Sequence, residues 1–539
     1  MTIIPSWATF DPFTASGENP HTLLNLVGGE WTSTEKTATL LDPMNGDEFI
    51  IYPRTEGKEL TVFAKSLQKC PKSGLHNPLK NPEKYVMWGK VTRKLAEEMH
   101  KPEVVEFFIK TIQRVCPKHR GQALGEITVS RTFLENFSGD NVRFLARSFG
   151  NPGDRFGQQS QGYRWPHGPC ALVSPFNFPL EIPVLQLMGA LYMGNKVLMK
   201  CATTTAVVME QFLHLMHFCG APKDAVDFVN CGGRTMEHLL VEAKPALTQF
   251  TGSSGVAEQL IGTLKGRVKV EDAGFDFKIL GPDVKDTGYV AWQCDQDAYA
   301  LSGQKCSAQS CLFIHENWLK HGAVSGAKDV KDGKFGDLLK QMDAIKSERN
   351  VKDLSIGPLL SHTTEDVLGH AKALLDLPGA ELLWGAKKLE DPLLAHVPAK
   401  YACVEPTAIM VPMDVFHENF ALCTREIFGP FQVVVPFSDA TLTRIFDASE
   451  KMTAHLTQAV VSDDPRFITT CLAHTINGTT YAGRRARTTG APQNHHFGPA
   501  GAVAASIGTY EAIRYVWSYH REIVYDVVAP LEFHRPPPE

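Results

Sequence analysis

No stretch of the 539-residue chain is apolar for long enough to span a membrane. The longest apolar region, Cys170 to Met199, is interrupted by Pro175, Asn177, Pro179, Glu181, Pro183, Gln186 and Gly189, so it makes no clean spanning helix, and a soluble protein without membrane partners is expected. An excess of one charge is missing too: 54 Lys+Arg against 59 Asp+Glu leave a formal −5. That balance carries no basic footprint for nucleic acid or an anionic membrane, so small molecules are the expected partners. The twelve cysteines include no CxxC and no Cys/His grouping at zinc-site spacing, and no metal is expected. They read as reduced thiols of an intracellular compartment, most of them buried as small apolar residues. The adjacent His495-His496 suggests a loop or interface, because neighbouring side chains do not converge on one ion unaided. There is no repeat of fixed period, and the one biased tract, the terminal HRPPPE, reads as an exposed tail. The first twenty residues have neither a basic region before an apolar core nor an Arg-rich amphipathic pattern, so any presequence precedes this numbering.

What is present is a large core in several parts. At 43% hydrophobic and 21% charged the chain is neither disordered nor coiled coil, and its length predicts two to four structural units. LLNLVGGEW and TATLLDPMNGDEFIIYP read as short antiparallel strands joined by Gly and Asn-Gly turns. Apolar residues at helical spacing follow from Glu83 to Cys116 and from Gln122 to Asn136. From Cys170 the runs CALVSP, KVLMK, AVDFV, ALTQFTG, RVKVE and FKILG alternate with helical stretches, the pattern of βαβ units around a parallel sheet. SCLFIH, AELLWG, TAIMVP and FQVVVPF repeat that pattern after Gln304 and predict a second α/β domain. Residues 150–169 and the segment from Ala512 to Val528 fit neither pattern. They read as an excursion that packs on another subunit or as surface loops.

Several positions carry residue types suited to chemistry. In SGQKCSAQSC, Cys306 is followed by the small Ser307 and Ala308, which lets backbone amides approach, and Lys305 is expected to favour the thiolate. In VSPFNFPLEIP, Asn177 sits in a Pro-flanked aromatic turn after a strand and is suited to donate to an oxyanion, with turn capping as the alternative. ALTQF–TGSSG–VAEQLIG reads strand, turn, helix, placing the amides of Gly252, Ser253 and Ser254 where an anionic phosphate binds, or making a tight turn without ligand. It is not the G-x-G-x-x-G fingerprint. Lys200 ends KVLMK at the carboxyl edge of a sheet, within reach of a ribose or adenine. Glu271 ends RVKVE, where it can act as a base if the thiol is near. Glu426 and Phe428, in TREIFGP, are expected on one face of a strand.

In this order, GGEW, FNFP, LMK, FTGS, the Glu271 turn, GQKCSA, EPT and EIFGP resemble the aldehyde dehydrogenase superfamily over nearly the whole chain. GQKCSA and GAPQNHHFGPAG followed by SIGTYEAIRYVWSYHREIVYD resemble its plant-type delta-1-pyrroline-5-carboxylate dehydrogenase branch, which oxidises glutamate semialdehyde to glutamate in proline breakdown. The resemblance implies an α/β fold with a Rossmann-like cofactor domain, 1–147 and 168–272, and an α/β catalytic domain, 273–490. It also implies a β-flap oligomerisation element, 148–167 and 505–530, and a tail, 531–539. It implies Cys306 as nucleophile, Glu271 as base, and Asn177 with the Cys306 amide as oxyanion hole. NAD would contact Ser174, Phe176, Lys200 and Thr203, rest its pyrophosphate on Gly252, Ser253, Ser254 and Gly255, and meet Glu426 and Phe428 at its nicotinamide end. Substrate would meet Phe178, Ser307, Gly498, Gly501 and Ala502. A homodimer or larger homo-oligomer in the mitochondrial matrix, alternatively the cytoplasm, is implied as well.

Four departures from the family pattern bear on these roles. The turn after the base is Glu271-Asp272-Ala273-Gly274 without the following Lys. Lys200-Cys201-Ala202-Thr203 lacks the Glu that disfavours a 2′-phosphate, leaving NADP open beside NAD. Ala257 replaces a glycine of the phosphate turn, and His496-Phe497-Gly498-Pro499 replaces P-F-G-G. Another semialdehyde dehydrogenase of this fold and a cysteine acyl hydrolase remain as alternatives.

Overall fold

The computed structural model describes residues 4–147, 149–272, 274–323, 336–490, 494–527 and 537–538. Most of the expected tail, 531–539, lies outside them.

Five parallel strands lie in the order Val268–Glu271, Leu247–Thr251, Pro169–Ser174, Lys196–Cys201, Val226–Phe228. Their side chains are buried on both faces, Ala171 and Leu198 in one apolar cluster, Leu172, Val197 and Met199 in another. That is why these strands read as continuous apolar runs instead of alternating ones. The chain moves from the central strand Pro169–Ser174 outward through two strands, then crosses back to place Leu247–Thr251 on its other side. The crevice at the carboxyl ends of a doubly wound sheet opens at such a reversal. The antiparallel pair Asn25–Val27 and Glu30–Thr32 extends the far edge of the same sheet. The hairpin Thr37–Leu41 and Glu48–Pro53 joins His21–Thr22 in a separate three-stranded sheet.

A second seven-stranded sheet runs Glu381–Trp384, Thr407–Met410, Phe431–Phe437, Gln309–His315, Asp276–Leu280, Thr457–Val461, Thr479–Ala482. Only the Glu381–Trp384 pairing is antiparallel. Alternate residues enter two clusters, Cys311, Phe313, Val433 and Val435 on one face, Leu312, Ile314 and Val434 on the other. The run FKILG, read above with the first set of strands, belongs here. Apolar periodicity identifies a buried strand but not the sheet that receives it.

The unassigned segments form a third unit. Ser518–Asp526 pairs antiparallel with Gln158–Pro166, which pairs in turn with Phe149–Pro152. The helix Tyr510–Trp517, inside the range expected for the flap, instead buries Ile513, Val516 and Trp517 in the core of the first sheet. The excursion therefore starts at Ser518. Among the described residues no helix is long and apolar enough to cross a membrane, and no group of His, Cys, Asp and Glu is placed to hold a metal ion.

Candidate active site

The carboxyl edge of the first sheet gathers residues that are far apart in sequence. Lys200 lies in register with Val173, Val173 with Phe250, and Thr251 with Glu271, so Lys200, Ser174, Thr251 and Glu271 end adjacent strands at one rim. Burial lowers the pKa of the Lys200 ammonium, and Thr203 opens the short helical turn Thr203–Thr205 just beyond. Past Thr251 the chain turns sharply. Gly252 N–H donates to the Glu271 carbonyl at 3.1 Å, and Ser253 begins the helix Ser254–Leu264 with no side-chain cap. The first amides of an uncapped helix have no intrahelical acceptor and favour an anion. Nothing lies within 4 Å of where a Gly255 Cβ would stand, so a phosphate has room there. Ser254 Oγ turns back to the Asp272 carbonyl at 3.1 Å. These residues fit the pyrophosphate of a dinucleotide.

The loop that carries Cys306 leads into the strand Gln309–His315 of the second sheet. Eleven of the twelve cysteines are buried, and Cys306 alone is partly exposed. Three consecutive residues before it, Leu301, Ser302 and Gly303, have φ of 58°, 51° and 68°. Left-handed backbone at Leu and Ser is strained and persists where surrounding contacts impose it. Those contacts are Ser302 Oγ, which accepts from Gly357 N–H at 2.9 Å, and Gln304 Oε1, which accepts from Leu360 N–H at 2.8 Å. Ala308 N–H donates to the Lys305 carbonyl at 3.1 Å, closing a turn with Cys306 and Ser307 at its corner.

The Cys306 thiol and the Glu271 carboxyl are close enough for each to shift the other's pKa. Burial first, then the charge of Glu271, pushes the thiol well above its usual value, with Asp276 and Glu426 adding to it. Burial lifts Glu271 to about 7 although the nearby thiol opposes this, and among the described residues Glu271 Oε1 has no hydrogen-bond partner. The expectation that Lys305 favours the thiolate is corrected. Its ammonium turns to the Gln296 carbonyl at 2.9 Å, and burial lowers it to about 7. Thiol and carboxyl therefore act on each other as one pair.

Glu426 and Phe428 lie near this pair, but on no strand, which corrects the second local reading: the next strand begins at Phe431. Phe428 has φ 50°, a bend that turns its ring edge-on to Phe176 with centroids 5.9 Å apart. Glu426 Oε1 accepts from Gly274 N–H at 3.3 Å, and burial raises it to about 8.

Asn177 is buried, with Oδ1 unpartnered. Its backbone carbonyl accepts from Lys118 Nζ at 2.6 Å, and the same ammonium reaches Glu126 Oε1 at 2.6 Å. Lys118 and Glu126 have no exposed side-chain surface. The other Glu126 oxygen accepts from the backbone N–H of Leu180 at 3.0 Å and of Glu181 at 3.3 Å. A buried ion pair thus grips both ends of the FNFP turn.

A cleft of about 240 Å³ opens at Cys306, bordered by Ser307, Phe178, Glu181, Arg487 and Phe497. Ser307 and Phe178 stand where the substrate was expected. Gly498 instead packs against Gly478, whose Cβ would lie 2.1 Å from the Gly498 carbonyl oxygen. Gly501 and Ala502 are exposed, and the Ala502 carbonyl accepts from Tyr515 Oη at 3.2 Å. The loop meets the cleft through Phe497, Ile507 and Gly508.

The profile of the aldehyde dehydrogenase family matches residues 32–522. The chain belongs to the aldehyde dehydrogenase family. A probable aldehyde dehydrogenase of Linum usitatissimum is 53% identical to it, covering 98% of this chain and 93% of its own. The mitochondrial delta-1-pyrroline-5-carboxylate dehydrogenase 12A1 of Arabidopsis thaliana is 52% identical, covering 96% and 91%. Among solved structures, the NAD-dependent aldehyde dehydrogenase of Sinorhizobium meliloti superposes with a TM-score of 0.79 at 17% identity, covering 99% of each chain. PnpE in complex with nicotinamide adenine dinucleotide superposes at 0.78 and 19% identity, covering 94% of this chain and 98% of its own. At such identities the structural likeness is one of fold.

Around this cleft stand charged residues that the motifs did not single out. Glu181 stood inside a quoted motif as a charge in an apolar run, a usable signal. Lys118, Glu126 and Arg487 gave none, because a charged residue in a helix or loop reads as solvated until the fold buries it.

Proposed function

We propose that this aldehyde dehydrogenase oxidises L-glutamate 5-semialdehyde to L-glutamate with NAD as acceptor. The Cys306–Glu271 pair carries the reading: a partly exposed thiol beside a carboxyl that burial raises to about 7, at the rim where the first sheet offers a phosphate turn. The Arabidopsis relative, named for delta-1-pyrroline-5-carboxylate, supports the substrate, and the PnpE complex supports the dinucleotide.

As its proton moves to Glu271, the Cys306 sulfur bonds to the aldehyde carbon, and the carbonyl π pair moves onto oxygen. The Asn177 amide and the Cys306 N–H hold the oxyanion. A bound nicotinamide supplies the acceptor for the hydride that leaves this carbon. Collapse of the oxyanion gives a thioester on Cys306. Glu271 passes the thiol's proton to solvent and then takes one from the water whose oxygen attacks the thioester; as the tetrahedral adduct collapses to the carboxylic acid the C–S bond breaks, and Glu271 returns that proton to the leaving Cys306 sulfur. Using one carboxyl in both halves requires a pKa near the working pH, which its burial provides.

Ser174, Phe176, Lys200 and Thr203 would hold the adenosine side, Gly252 to Gly255 the pyrophosphate, and Glu426 and Phe428 the nicotinamide side. Thr203 carries no charge to repel a 2′-phosphate, so NADP is the second acceptor to assay. The first sheet, 1–147 and 168–272, serves as cofactor domain, and 273–490 as catalytic domain. The sheet of Phe149–Pro152, Gln158–Pro166 and Ser518–Asp526 would pair subunits in a homo-oligomer. The Arabidopsis relative's name, mitochondrial, supports a mitochondrial location, and the matrix is the compartment proposed within it.

The test follows reduction of NAD and NADP with glutamate semialdehyde, succinate semialdehyde and a simple aliphatic aldehyde. Preferential turnover of glutamate semialdehyde is expected, and Cys306→Ala should abolish it while dinucleotide binding persists. Turnover by Cys306→Ala, or no preference among the aldehydes, defeats the reading.

A further inference from the structure

The cleft at Cys306 is asymmetric in charge. Its first-sheet side carries Glu181 at the start of the helix Glu181–Tyr192, with Glu126 behind it. Its second-sheet side carries Arg487 in the loop after the strand Thr479–Ala482.

Each charge is arranged to face a ligand. Arg487 Nε and Nη2 reach the same oxygen of Asp297, Oδ1, at 2.8 and 2.7 Å. Asp297 is fully buried and is held from its other oxygen by Lys278 Nζ at 2.8 Å and Thr488 N–H at 2.9 Å. The guanidinium is thus fixed on one edge, leaving Nη1, which lies 3.7 Å from the position of a Gly490 Cβ at the cleft wall. A guanidinium immobilised in this way is prepared for a carboxylate, because little rotamer freedom remains to be lost.

Glu181 presents the opposite case. Lys118 spends its ammonium on Glu126 and the Asn177 carbonyl, and no hydrogen bond to the Glu181 carboxyl is made by the described residues. Burial and the nearby Glu126 raise it to about 8. A carboxyl set back in a cleft without a partner is costly unless a cation reaches it.

We propose that Arg487 and Glu181 are the specificity residues of this cleft, Arg487 receiving the α-carboxylate and Glu181 the α-ammonium of an amino-acid aldehyde. This rests on the substrate reading above and assigns the groups that impose it. Gly498, Gly501 and Ala502, packed on Gly478 or exposed near Tyr515, are thereby relieved of that part. A cleft of about 240 Å³ lies just below the usual ligand-pocket range of roughly 300–1,000 Å³, which suits a short chain ending in a zwitterion.

The experiment measures kcat and KM of wild type, Arg487→Met, Arg487→Lys and Glu181→Gln with glutamate semialdehyde, succinate semialdehyde and butanal. Succinate semialdehyde keeps the carboxylate and lacks the ammonium, and butanal lacks both. Hydrogen bonds to charged groups are strong enough that losing one should lower kcat/KM roughly 10-fold to 100-fold. For Arg487→Met that loss should fall on both carboxylate-bearing aldehydes, through KM, and spare butanal, with Arg487→Lys recovering part of it. For Glu181→Gln it should fall on glutamate semialdehyde alone. Glu181→Gln keeps the shape of the side chain and relieves repulsion from Glu126, so it tests the ammonium half even if Arg487→Met fails to fold. Equal losses on all three aldehydes in both Glu181→Gln and Arg487→Lys would make these residues structural and overturn the proposal. A wild type that takes butanal as readily as glutamate semialdehyde overturns the substrate reading instead.

Discussion

A Cβ built on Gly274 would stand 1.8 Å from the carbonyl oxygen of Cys306. The crossing from the first sheet to the second therefore passes directly against the backbone of the nucleophile, and the amide of the same glycine also donates to Glu426. The Glu271 turn, the crossing and the Cys306 backbone are packed together. Gly274→Ala must push the Cys306 turn out of place. Because a misplacement of about 1 Å can cost about 10²-fold in rate, kcat should fall by that order while dinucleotide affinity changes little. Stopped-flow acylation with glutamate semialdehyde, beside dinucleotide titration, checks both. Wild-type acylation would show that the turn has slack.

As the proposed base, Glu271 should set the pH dependence. Burial raises its pKa to about 7, so the base is protonated below that and ionised above it. Deacylation should rise with pH through about 7 and level off. Glu271→Gln should slow deacylation and remove that limb of the kcat profile. Stability runs the other way. A carboxyl raised in the folded state favours the protonated fold, so its contribution is full below the ordinary carboxyl value near 4.5 and is lost as pH rises to about 7. Thermal midpoints of the apoenzyme should fall across that window, and fall less in Glu271→Gln. An identical slope in the variant would assign the effect to Glu181 and Glu426, both raised to about 8.

Lys118 and Glu126 form a wholly buried pair behind Asn177. Removing one partner from such a pair costs about 3–5 kcal/mol, because the other charge stays buried, whereas replacing both with apolar groups is often near neutral. Lys118→Met should lower the thermal midpoint sharply, and Lys118→Met with Glu126→Leu should recover most of it. Activity should not recover with stability, since Asn177 would still lack the donor on its carbonyl. Loss of an oxyanion donor costs about 10²-fold to 10³-fold in kcat, and Asn177→Ala gives the value for comparison. A double variant with full activity would separate Lys118 from the chemistry.

Much of the site was legible because it lies at element ends. Ser174, Lys200 and Glu271 each close an apolar run, and parallel strands place their carboxyl ends at one rim, so recognising the runs was enough to gather them. Gly252 to Gly255 were legible because a strand, a small polar turn and a helix leave free amides whatever surrounds them. Phe428 was misread because TREIFGP has strand-forming residues, while a φ of 50°, with the ring against Phe176, takes it out of a strand. Lys305 was misread because adjacency in sequence says nothing of direction: it leaves its turn towards Gln296 while Cys306 faces Glu271.

By itself the sequence determined most of the strands and helices of the two large sheets, that their alternation builds α/β units, and which residues stand at their ends, since these depend on local periodicity and turn chemistry. The tertiary structure alone decided that FKILG joins the second sheet and that Lys118 and Glu126 are buried together. It also decided that Glu181 and Arg487 share a cleft with Cys306. Those outcomes rest on contacts between residues tens to hundreds of positions apart, and burial, which sets both charge pairing and pKa, exists only once such contacts form.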